Sequence, residues 1–159
     1  CESVDGYVVP VNYNSPAQTV IAGESSAVAK ACEKFTELKA RVAPLKTESA
    51  FHSEIMKPAS EEFYDKIKNI SFSTPSVKFF SNLTGTELTD FSDMPRILAE
   101  HVVSPVRFTD ELEAIRNAGF DRYIELGPGK TLTGLVKKTL ADITAFNIDS
   151  VEALEKAEL

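Results

Sequence analysis

The chain has 159 residues, 43% of them apolar and 26% charged, enough for one domain that buries roughly 70% of its unfolded surface. Its formal charge of -7 argues against a nucleic-acid partner, because neutralising phosphates requires a basic face. No run approaches the ~20 apolar residues of a membrane span, no basic-then-apolar leader opens the sequence, and Cys1 and Cys32 provide neither a disulfide framework nor metal-ligand spacing. A reducing, cytoplasmic setting without membrane or metal is the expectation.

Tyr7-Val8-Val9-Pro10-Val11-Asn12-Tyr13 predicts a strand, β-branched and aromatic, with Pro10 marking an edge or bulge. Asn14-Ser15-Pro16-Ala17 is turn chemistry, and Gln18-Thr19-Val20-Ile21-Ala22-Gly23 predicts a second strand, so the two read as a hairpin. Ser25 or Ser26 then caps a helix to about Ala40, with Val28, Ala31, Cys32, Phe35 and Leu38 on one face. Arg41 to Lys46 is a short extended piece, making residues 1–48 a β-β-α-β unit.

The remainder alternates. A helix is predicted from about Ser53 to Lys68, then a strand from Val77 to Ser81. Met94-Pro95 opens a helix that Pro105 stops, and Thr109-Asp110 starts another that Gly119 ends. A strand Tyr123–Leu126, a helix Thr131–Leu140, a strand Thr144–Ile148 and a tail helix Val151–Glu158 follow. Strands and helices in alternation predict an α/β fold with a largely parallel sheet and helices on both faces.

His52, in Ser49-Ala50-Phe51-His52-Ser53-Glu54-Ile55-Met56-Lys57-Pro58-Ala59, sits where an extended segment gives way to a helix, a common place for a general base in α/β enzymes. An isolated histidine is more often a structural hydrogen-bonder, and no Gly-x-Ser-x-Gly elbow occurs in the chain to give it a nucleophile. Gly127-Pro128-Gly129-Lys130-Thr131 invites a phosphate-loop reading, but that pattern needs glycine where Ile124 stands. A tight turn into a helix explains it. Lys137-Lys138 is a small basic pair on an acidic chain, by default a solvated helix face that can also attract an acidic partner.

The histidine run resembles the "G-A-F-H-S-x-x-M-x-x-A" stretch of the malonyl-CoA:acyl carrier protein transacylases. Four more stretches resemble that family in order: Pro10-Val11-Asn12-Tyr13-Asn14-Ser15-Pro16-Ala17-Gln18 with Val20-Ile21-Ala22-Gly23, Phe79-Phe80-Ser81-Asn82-Leu83-Thr84-Gly85, Ser104-Pro105-Val106-Arg107-Phe108, and Glu125-Leu126-Gly127-Pro128-Gly129-Lys130-Thr131-Leu132-Thr133-Gly134-Leu135. The resemblance implies a hydrolase-like α/β subdomain carrying a ferredoxin-like one. Residues 1–48 would be the remainder of the small subdomain and 49–159 the C-terminal part of the large one. The start at Cys1, without methionine, fits a piece of a longer protein. The N-terminal half, with its "G-H-S-x-G-E" elbow, malonyl-binding arginine and oxyanion donors, would lie outside this chain. A sheet lacking its central strands would expose apolar edges.

By resemblance, the reaction is malonyl transfer from malonyl-CoA to the phosphopantetheine thiol of acyl carrier protein through an acyl-serine. No cofactor is implied beyond the group the partner carries. His52 would be the catalytic base, in a chain inactive by itself because its serine is elsewhere. The family's usual glutamine of "Q-x-x-S-P-V" falls at His101, the expected histidine-orienting residue. A backbone carbonyl there would preserve the role, whereas a required side-chain amide would not. Phe51 implies selectivity for malonyl over methylmalonyl units, and Lys137 with Lys138 implies carrier-protein docking. The alternatives are an acyltransferase module of a polyketide or fatty-acid synthase, and a non-catalytic carrier-protein-binding module.

Overall fold

The N-terminal strand does what its composition dictates. The computed structural model describes residues 1–157, and in it β1 (Val8–Ser15) pairs antiparallel with β2 (Gln18–Gly23). Ser15 pairs with Gln18, leaving Pro16-Ala17 as the turn, and the register slips between Pro10 and Asn12, where proline has no N–H to give. α1 (Ser25–Glu37) lays Ala27 and Ala31 on Val8, with Ile21, Val28 and Phe35 around them. Two expectations fail here. Neither Ser25 nor Ser26 caps the helix: Glu24 is the N-cap residue and makes no side-chain cap, its carboxylate accepting instead from the Tyr7 N–H at 3.1 Å. Leu38, expected on the buried face, lies past the last helical turn and is 78% exposed.

Arg41 to Lys46 forms no strand. Its residues are almost all exposed and no neighbouring strand offers it a ladder, so β-propensity alone leaves it irregular. A single 3-10 turn, Glu54–Met56, then leads into α2 (Lys57–Ile67). α2 packs on α3 (Met94–Val103) through a hydrogen bond from Ser60 Oγ to the Ala99 carbonyl at 2.5 Å and an Arg96 guanidinium 3.6 Å above the Tyr64 ring. Between them β3 (Phe79–Ser81) pairs with β4 (Thr86–Leu88), a strand the sequence reading did not find. Gly85 turns this hairpin at φ +70°, and a Cβ there would sit 2.7 Å from Asp110 Cβ.

α4 (Phe108–Asn117), β5 (Arg122–Leu126), α5 (Thr131–Thr139) and β6 (Thr144–Ile148) complete the second core, in which Leu112, Val136, Leu140 and Ala145 are buried with Phe108, Tyr123 and Ile143 packed round them. β5 and β6 are parallel, as a strand-helix-strand passage requires. α6 (Val151–Glu155) is shorter than expected, ending at its C-cap Lys156 before the non-helical Ala157; Glu158, the expected end of that helix, lies outside the described residues.

The α/β class holds, but the strands do not form one sheet. Among the described residues they make three two-stranded sheets, of which β5–β6 is the parallel one. Alternate β5 residues Ile124 and Leu126 are 37% and 77% exposed, so one face of that pair carries no layer. β1 is tied to the later chain by a parallel bridge from Asn12 to Val106, with the Val106 N–H donating to the Val11 carbonyl at 2.8 Å and the Tyr13 N–H to the Val106 carbonyl at 2.9 Å.

Candidate active site

The site is built where α3 ends. Pro105 cannot extend the helix and pushes Ser104 into an extended conformation, so the last carbonyls of α3 point out unpaired. His52 meets them. Its backbone N–H donates to the Val102 carbonyl at 2.9 Å, and its ring Nδ1 lies 2.9 Å from the His101 carbonyl and 3.2 Å from that of Ser104. Carbonyls only accept, so the hydrogen of the neutral ring is on Nδ1 and the lone pair is on Nε2. Nε2 makes no hydrogen bond among the described residues.

His52 holds this position at φ +64°, left-handed backbone that costs a non-glycine residue about 1–3 kcal/mol unless its surroundings enforce it. Here they do. Ser53, 2% exposed, donates from Oγ to the Ala50 carbonyl at 2.6 Å, clasping the turn on both sides of the histidine. The Met56 N–H closes the 3-10 turn onto the Ser53 carbonyl at 3.0 Å. Ser53 Oγ is turned back and does not cap that turn, and the Glu54 N–H, the first donor of the turn, goes to the Tyr7 hydroxyl at 3.0 Å.

His101 reaches His52 through its backbone. Its own ring lies beside the first, centroids 5.4 Å apart and tilted by 47°, and its Nε2 is buried without a partner among the described residues. Burial, and then the neighbouring ring of His52, push the His101 pKa down, which keeps its imidazole neutral. Phe51, next in sequence, leaves 54% of its surface exposed at the turn. Lys137 and Lys138 are exposed in the last turn of α5, which packs on β5, β6, β1 and α4, a different set of elements from those around His52. The structure therefore brings Phe51, His52 and His101 together and leaves the lysine pair apart.

The glycine turn after β5 is closed to phosphate. Gly127 and Gly129 take φ of +127° and +90°, and the Glu125 carboxylate accepts from the Leu132 N–H at 3.1 Å, the Thr133 N–H at 2.8 Å and the Thr133 hydroxyl at 2.8 Å. The donors that would cradle a phosphate are occupied by a carboxylate, which the Thr133 N–H above all holds below the usual range. No cluster of three or more metal-ligating side chains occurs among the described residues.

Residues 2–158 match the acyl transferase domain family. The chain belongs to that family. This acyl transferase chain is 34% identical to the malonyl CoA-acyl carrier protein transacylase of Haemophilus influenzae, over 99% of its own length and 51% of the relative's. It superposes on the crystal structure of the malonyl CoA-acyl carrier protein transacylase from Clostridium perfringens with a TM-score of 0.90 at 36% identity, covering 95% of this chain and 48% of that one. It also superposes, at a TM-score of 0.89 and 32% identity, on a malonyl-transacylase solved in complex with a type II PKS acyl-carrier protein, covering 94% of this chain and 49% of that one. The chain thus spans about half the length of the curated relatives it matches.

Two contributors escaped the sequence reading. The Ser104 carbonyl was signalled by Pro105, which fixes where α3 stops. Tyr7, 47 residues from Glu54, had no local signal at all.

Proposed function

We propose that this chain supplies the general base of a malonyl-CoA:acyl carrier protein transacylase, His52, to a nucleophilic serine on the half of the enzyme that precedes it. The observation that carries the reading is the pair of carbonyls on Nδ1, at 2.9 and 3.2 Å, which leaves Nε2 free to take a hydroxyl proton. In the first half-reaction the serine oxygen attacks the malonyl thioester carbon as Nε2 takes its proton. The C–S bond then breaks, and the imidazolium returns that proton to the CoA thiolate. In the second, the phosphopantetheine thiol of acyl carrier protein gives its proton to Nε2 and attacks the acyl-serine. Collapse expels the serine oxygen, which recovers the proton. Oxyanion-hole donors on the serine half hold the negative oxygen of each tetrahedral intermediate.

In this reading His101 is an orienting residue through its carbonyl, so the family's glutamine side chain is dispensable at that position. Phe51 faces the acyl α-carbon and rejects a methyl branch, a discrimination of roughly 1–3 kcal/mol. Lys137 and Lys138 attract the acidic carrier protein, with an on-rate that falls as salt rises. Residues 1–48 complete a ferredoxin-like subdomain and 49–159 the hydrolase-like one. The enzyme is cytoplasmic, and this chain transfers no acyl group without its serine-bearing half.

The test is malonyl transfer by the assembled enzyme, with the serine half supplied in the same cell, comparing wild type and His52→Ala. Removing a general base should cost about 10²–10⁴-fold in kcat. A loss under tenfold, with the fold intact, would show that the proton goes elsewhere.

A further inference from the structure

The left-handed turn at His52 is held from three directions, and one of them is foreign to the histidine's own surroundings. α3 supplies the carbonyls, and Ser53 clasps the turn internally. The third hold is the hydroxyl of Tyr7, just ahead of β1, which accepts the Glu54 N–H at 3.0 Å. Glu54 opens the 3-10 turn two residues after His52, and its N–H is one of the donors a helical start leaves unpaired. An N-cap side chain serves the N–H groups two or three residues on, so Ser53, whose hydroxyl is in any case turned back to Ala50, does not serve this one. Tyr7 therefore caps this turn from a distance.

Tyr7 is itself fixed. Its N–H donates to the Glu24 carboxylate at 3.1 Å, and its carbonyl accepts from the Glu24 N–H at 2.8 Å. Gly23 presses on the same carbonyl so closely that a Cβ there would come within 2.0 Å of it. The hydroxyl consequently stands at the end of a ring whose backbone is gripped on both sides. We infer that Tyr7 is a positioning residue for His52: its hydroxyl caps the turn behind the histidine and holds the backbone conformation in which Nδ1 meets the carbonyls of His101 and Ser104. This rests on the reading of His52 as the base, and it assigns residues 1–48 a part in the chemistry through one hydrogen bond.

The experiment is nitrogen-15 NMR of the histidine-labelled full chain, comparing wild type, Tyr7→Phe, Glu54→Pro and the double variant. Tyr7→Phe keeps the ring and removes only the acceptor. Glu54→Pro removes the donor at a first-turn position proline tolerates, after Ser53 at φ -134° and ψ 163°, a conformation proline accepts before it. Each single variant should speed exchange of the His52 Nδ1 hydrogen roughly fivefold, the worth of one net hydrogen bond, and raise the share of the Nε2–H tautomer. The His101 ring signals should stay as they are. The double variant should be no worse than either single one, because each single change already removes the whole hydrogen bond. His52 signals unchanged in both single variants would overturn the role of Tyr7, and so would equal changes at His101, which would mean general loosening. An Nε2–H tautomer in the wild-type chain would instead remove the base assignment, a failure visible before any variant is made.

Discussion

Glu111 lies in the first turn of α4, 9% exposed, with Oε2 buried and without a partner among the described residues. Burial pushes its carboxyl pKa up. An unsatisfied buried polar group costs about 1–3 kcal/mol, and more if charged. The positive end of α4 returns about 0.3–1 kcal/mol of that to a carboxylate. The balance is a net penalty of about 1–2 kcal/mol at neutral pH. Glu111→Gln keeps the shape and removes the charge but leaves an unpaired amide there, so it should recover only the part due to charge, about 1 kcal/mol, a rise in Tm of roughly 2–4 °C for a chain of this length. The pH dependence has a definite sign. With the folded pKa above the unfolded value, the native state binds more protons as the group titrates, so the penalty grows as pH rises and is absent below the unfolded pKa of 4.5. Urea denaturation of wild type and variant at pH 7 and pH 4 reads both quantities. A variant no more stable than wild type at pH 7, or an equal gain at both pH values, would refute the account of this group.

His101→Gln should leave the Nδ1 contact of His52 intact, since the carbonyl at position 101 survives, and should change kcat of the assembled enzyme by less than about threefold, because the atom that meets the His52 ring is main-chain. Because the His101 pKa is depressed in the folded chain, the unfolded state binds more protons as pH falls below 6.5, and stability is lost there. The glutamine variant should lose less stability between pH 7 and pH 5 than wild type in the same denaturation series; an identical loss would exclude His101 as its source. Glu125 has the opposite character for an acid from Glu111: its depressed pKa stabilises above the unfolded value of 4.5 and that contribution fades as pH falls through the folded one. Glu125→Ala should therefore lower Tm more at pH 7 than at pH 3, where only the neutral carboxyl's hydrogen bonds are lost, checked by thermal scans across pH 3–7.

Local chemistry made much of the fold readable. β2 and β6 run as Gln18–Gly23 and Thr144–Ile148 because glycine and apolar alternation bound them, and α3 lies between Pro95 and Pro105 because proline suits a helix start and forbids its continuation. What escaped depended on distant partners. Arg41 to Lys46 had extended-chain composition but no strand to pair with, and Thr86–Leu88 was too short to show a period yet found Phe79–Ser81. The same division runs through the site. His52 and Phe51 were visible in one short motif, and position 101 was expected beside the His52 ring with carbonyl and side chain both open as the contact. That the contact is a carbonyl, that Ser104 adds a second, and that His52 is left-handed all follow from where α3 ends in space.

The two acceptors on His52 also set a timetable. They lie 49 and 52 residues further along the chain, so during synthesis at about 5–20 residues per second the ring waits roughly 2–10 s for them to leave the ribosome. Closing a loop of that length costs entropy that no neighbouring residue offsets, so the contact belongs among the slower, non-local events of folding. Tyr7 has already been made by then, and its hydroxyl can engage Glu54 as soon as the hairpin behind it sets. Until α3 is complete the imidazole is free to carry its hydrogen on either nitrogen. Which nitrogen finally keeps it is decided by residues translated long after the histidine itself.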